Sequence, residues 1–181
     1  MTFLRYLLQL ILSPANGWDD LGIRRPDPSQ LLDKGLYPLL GLSALTEFLA
    51  LVYDPAAGLM QVLVSAVTDF GAYLLAIYVA RLVLESMTQR YCAEPVDKER
   101  LLTLIVMGTG LMVLFQIVNN CLPWNLVILK FLPLYVVLVL SKSFRYLGIR
   151  RRDEMRFLGV ASAVIVAVPL GIYYLIYLLI K

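Results

Sequence analysis

The sequence predicts an all-α integral membrane protein: five transmembrane helices preceded by a short amphipathic helix lying in the membrane interface. Three observations predict it. Of 181 residues, 60% are hydrophobic and 16% charged, with a mean hydropathy of +0.78, and a water-soluble domain of this size would leave much of that apolar surface wet. The apolar residues form five long continuous runs rather than alternating, which selects helices over a closed barrel, the two forms that satisfy every backbone amide in hydrocarbon. Lysine and arginine fall in every second link, as orientation by positive charge requires.

At the N-terminus, Thr2, Arg5, Gln9 and Ser13 recur at steps of three, four and four, one narrow polar stripe on an apolar cylinder. About eleven residues reach only about 16 Å at roughly 1.5 Å each, too short to cross. Pro14 ends this helix and Trp18 is placed as a headgroup-level anchor. No small-residue cleavage site follows, so the segment is expected to be retained. Asp19 to Lys34, with both signs of charge and two prolines, reads as an aqueous loop. Residues 1–35 therefore form a cytoplasmic interfacial helix and loop, and 36–181 a five-helix domain.

The spans are Leu36 to Tyr53, Leu59 to Leu84, Leu101 to Leu122, Trp124 to Leu140 and Phe157 to Ile180, each near or above the roughly 17–25 residues a crossing needs. Asp54 to Gly58 and the turn at Pro123 make hairpins, whereas Glu85 to Arg100 and Ser141 to Arg156 are longer charged links. Asp97 is positioned to cap the third span. Arg5, Arg24, Arg25 and Lys34 precede the first span, and Arg81, Arg90, Lys98 and Arg100 cluster at the second link. Lys142, Arg145, Arg150, Arg151, Arg152 and Arg156 fill the fourth, whereas the two hairpins carry none. The N-terminus is thus expected in the cytoplasm and the C-terminus outside. Tyr37, Tyr91 and Tyr146 fall at the inner interface, and Tyr53, Trp124, Tyr173, Tyr174 and Tyr177 at the outer one.

Two stripes of small residues, Thr68/Ala72/Ala76/Ala80 and Gly159/Ala163/Ala167/Gly171, mark faces where helices approach closely, and Gly108-Thr109-Gly110 reads the same way. Glu47, Asp69 and Lys130 are the ionisable residues deep within spans, where each costs a few kcal/mol unless paired, neutralised or hydrated. Glu47 and Lys130 each lie six residues from an outer aromatic, about 9 Å deep at roughly 1.5 Å per residue. With Gln116, Asn119 and Asn120 they either form an outward-facing polar pocket in which Glu47 and Lys130 can pair, or Lys130 snorkels, Glu47 is neutralised or wetted by the first hairpin, and the amides satisfy a kink near Pro123. Asp69 shares a face with Ala72 and Ala76 and is expected to point into the bundle, either bonded to a Ser or Thr or as a protonated carboxyl rather than as a one-member proton relay. The basic cluster Arg145, Arg150, Arg151, Arg152 and Arg156 is placed to meet anionic headgroups or a partner.

No histidine is present, which removes the commonest metal ligand, so neither metal nor cofactor is expected. Cys92 and Cys121 have no motif spacing and fall on opposite sides, so no disulfide is expected between them. Paired catalytic carboxylates, a nucleophile elbow, a zinc motif and a phosphate loop are all missing, which argues against an enzyme. The basic residues report orientation rather than nucleic-acid binding.

A Pro-x-x-x-Trp motif at Pro14 to Trp18 within SPANGWDDL, followed by Tyr37-Pro38 opening YPLLGLSALTEFLALVY and five spans, resembles the compact bacterial members of the Yip (Ypt/Rab-interacting protein) domain family over essentially the whole chain. The resemblance implies a five-helix fold with a cytoplasmic N-terminus in a bacterial inner membrane. It also implies a non-enzymatic scaffold that engages protein partners, itself or lipids; the long cytoplasmic region that eukaryotic members carry has no counterpart here. The alternative is a small transporter or channel whose vestibule is the Glu47, Lys130, Gln116, Asn119 and Asn120 region.

Overall fold

The computed structural model describes residues 2–54, 57–91, 96–122, 129 and 131–180, and these are all helix or connecting turn. Helix α1 (Thr2–Leu12) turns at Ser13 into α2 (Pro14–Arg24). Helix α3 (Pro28–Tyr53) contains a π-turn, Leu32–Leu36, and a 3-10 turn, Glu47–Leu49. Helices α4 (Leu59–Tyr91), α5 (Lys98–Cys121) and α6 (Leu132–Ser141) follow, then the single turn α7 (Phe144–Leu147). Helix α8 runs as Glu154–Ser162, a π-turn Ala163–Ala167, and Val168–Ile180.

Four stretches, within α3, α4, α5 and α8, are long and apolar enough to cross a membrane. Helix α6 has ten residues, about 15 Å at 1.5 Å per residue. Residues 123–128 and Lys130 of the expected fourth span lie outside the described residues, as do Pro123, Trp124 and Cys92.

Helix α5 is the central post. Leu101 and Thr103 through Val113 are buried on all sides, and α3, α4, α6, α8 and α1 pack around it. Asp97 caps it as expected, accepting from Glu99 N at 3.1 Å. Close approach is why glycine stands in its middle: a Cβ on Gly110 would lie 2.9 Å from the Phe3 ring, and one on Gly108 3.1 Å from Ile165 Cγ2. On the outer surface Leu45, Val67, Leu82 and Leu134 are each more than 60% exposed, an apolar jacket around an apolar core.

The stretch expected as a loop, Asp19 to Lys34, is mostly helix. Of its two prolines, Pro26 lies in the turn and Pro28 starts a helix rather than breaking one, since a residue at the first helical position needs no amide hydrogen: Pro28 opens α3, as Pro14, ahead of the stretch, opens α2. Asp27 caps α3 by accepting from Ser29 N at 2.9 Å, and only the Arg25 turn, at φ 41°, separates the helices.

Trp18 is not a headgroup anchor. It is 1% exposed, donates its indole N–H to Val139 O at 2.9 Å, and packs 5.4 Å from the Tyr146 ring. Tyr146 is buried too, with the Arg100 guanidinium 5.8 Å above its ring and Arg100 Nη1 donating to its carbonyl at 3.0 Å. Burial pushes the Tyr146 phenol above its usual range, so it stays a neutral ring at physiological pH. Helix α1 likewise packs on protein: Phe3, Tyr6, Leu7 and Leu10 are buried, while Arg5 of the polar stripe is exposed.

The two small-residue stripes part ways. Ala72, Ala76 and Ala80 are buried in a helix seam, but Gly159, Ala163, Ala167 and Gly171 all face outward, and no atom lies within 4 Å of a Cβ built on Gly159 or Gly171.

Candidate functional site

Three helices bring five polar side chains together in the apolar bundle. On α3, Thr46 and Glu47 enter the 3-10 turn, and Thr46 Oγ1 returns a hydrogen bond to Ser43 O at 2.7 Å. On α4, Asp69 leads the buried Ala72/Ala76 face and is 5% exposed. On α5, Gln116 and Asn120 stand at i and i+4, one face of one helix.

The amides link the acids. Gln116 Nε2 lies 3.2 Å from Glu47 Oε1, 3.2 Å from Asp69 Oδ2 and 3.2 Å from Asn120 Oδ1. An amide nitrogen has two hydrogens, so three acceptors share two donors. Asn120 Nδ2 donates to Glu47 Oε1 at 2.7 Å and to Thr46 Oγ1 at 3.2 Å, which uses both of its hydrogens. The two carboxyls are also within hydrogen-bonding reach of one another. The ion pairs among the described residues, Arg24–Asp20, Arg81–Glu85 and Arg100–Asp97, involve neither acid.

Beside this network is a cavity of about 260 Å³ between α4, α5, α6 and α8, where Tyr73, Phe115, Gln116, Asn119 and Leu170 are among the lining residues. Gln116 belongs to both: it bonds the acids and lines the cavity.

Of the residues expected to cluster, Glu47, Gln116 and Asn120 do, and Asn119 instead lines the cavity and is exposed. Lys130 lies outside the described residues. Asp69 points inward but bonds an amide of α5 rather than a Ser or Thr. Thr46 and Tyr73 were not anticipated; Thr46 is legible only as the polar neighbour of Glu47. Arg145, Arg150, Arg151, Arg152 and Arg156 are all exposed, and Cys121 is free. No group of three or more potential metal-ligating side chains occurs among the described residues.

The architecture is therefore a helical bundle with membrane-length apolar helices and a partly buried carboxyl–amide network. No family model, curated protein or solved structure matches the chain.

Proposed function

We propose that this chain is a small proton-translocating transporter of a bacterial inner membrane, crossing it five times with the N-terminus inside. One observation supports it above the rest: two carboxyls on facing helices, bonded to a single amide, within an apolar bundle. Like charges that close in a low dielectric are neutralised by a proton or a cation, and an ionisable group in hydrocarbon marks an ion or solute path by default. The network sits in the half of the bundle that the charge distribution turns outward. Purified protein in proteoliposomes with an imposed pH gradient should dissipate that gradient faster than empty vesicles, and the double variant E47Q/D69N should not. Equal rates for all three would end this reading.

A second reading, the scaffold implied by the Yip resemblance, is favoured by the outward-facing Gly159/Ala163/Ala167/Gly171 stripe and the exposed arginines of the fourth link. Small-residue faces let helices of separate chains approach closely. A strictly monomeric protein in lipid nanodiscs, giving no reproducible partner on capture from native membranes, would remove it.

A further inference from the structure

We propose that the cavity beside Gln116 binds an amphipathic organic cation: a protonated amine whose ammonium reaches Glu47 and Asp69 and whose apolar body lies against Tyr73, Phe115 and Leu170. The inference rests on the transporter reading for its role but on the cavity for its chemistry.

Charge complementarity selects the head. Two acids share amide donors that are already oversubscribed, since Gln116 Nε2 faces three acceptors with two hydrogens. Among the described residues no lysine or arginine pairs with them. An ammonium brings three donors and a positive charge.

The lining selects the body. Tyr73 follows Asp69 by one turn, Met112 precedes Gln116 by one turn, and both line the cavity with Phe115 and Leu170. The aromatic faces of Tyr73 and Phe115 suit a cation near its apolar substituent. A volume of about 260 Å³ lies just under the roughly 300–1,000 Å³ of small-molecule sites. That admits a single ring or a short chain, and it excludes a phospholipid. Gln116 stands between cavity and carboxyls, so the amine enters by taking over the contacts that this amide makes.

The test is binding of 2-phenylethylamine to the full-length protein in nanodiscs at neutral pH, read by calorimetry, with three comparison compounds. Tetramethylammonium has charge without a body, 3-phenylpropionate a body with the wrong charge, and propylbenzene a body without charge. The expected order places 2-phenylethylamine at least tenfold tighter than each. D69N should weaken it at least tenfold. Should D69N not fold, L170W, which fills the cavity away from the acids, should do the same. K130M should leave binding unchanged or tighten it. Binding of propylbenzene as tight as that of the amine, no amine binding at all, or loss of binding on K130M would each overturn the proposal. Amine binding without proton flux would sink the transporter reading and leave this one standing; flux that D69N abolishes, in a protein that binds no amine, would do the reverse.

Discussion

Gln116 has more acceptors than hydrogens, and that imbalance makes it the residue on which the network turns. A leucine there keeps the volume and removes both donors, leaving Glu47 and Asp69 to face one another with only Asn120 still donating to Glu47. Interhelical hydrogen bonds in membranes average under 1 kcal/mol each, but a stranded buried acceptor costs about 1–3 kcal/mol. Q116L should therefore lower stability by about 2 kcal/mol, read as an earlier thermal unfolding midpoint in detergent, whereas Q116E, which replaces the donor by a third carboxyl, should cost more. If Q116L unfolds with the wild type, the amide is a bystander. This part of the site was half legible in the sequence. Polar residues in apolar spans announce themselves by composition, so Glu47, Asp69, Gln116 and Asn120 stand out. Which of them meet depends on helix rotation, and nothing local to Asp69 says that it turns to α5 rather than to a serine.

At the level of elements, the four membrane-length apolar helices and the cap at Asp97 could be read directly, because helix length and capping are local properties. The segment between Asp19 and Lys34 could not. Its prolines mark either a loop or a helix start, and the choice depends on Trp18, Leu21 and Leu31 finding a buried place against the bundle. The same long-range packing takes α1 off a purely lipid-facing role: its Phe3 ring and Leu7 press on Gly110, and the Tyr135 hydroxyl donates to Ile11 O. G110L should push α1 away from α5, since the new side chain starts 2.9 Å from the Phe3 ring. Overpacking of this kind costs about 1–3 kcal/mol, and limited proteolysis should then cut between α1 and α3 sooner than in the wild type. Unchanged cleavage with unchanged stability would mean that α1 does not hold its place through this contact.

For the whole molecule, the number of crossings is what connects topology to function, because an odd number puts the two ends of the chain on opposite sides. Helix α6 alone, with its ten residues, covers only about half of a roughly 30 Å hydrocarbon core; the residues before it must contribute for a fourth crossing. The proposed topology needs that crossing, since it sets the arginines from Arg145 to Arg156 with Arg24, Arg25 and Arg100 on one side. Gly58 and Arg151 are both exposed and are separated by α4, α5 and the α6 region. Three crossings place them on opposite faces, whereas two would place them on the same one. With Cys92 and Cys121 changed to serine, G58C should react with a membrane-impermeant maleimide in intact cells, and R151C only after permeabilisation. The reverse pattern inverts the orientation, and with it the outward placement of Glu47 and Asp69. Labelling of both from outside means that the α6 region dips into the membrane and returns, in which case the cavity that it lines opens as the mouth of a re-entrant loop.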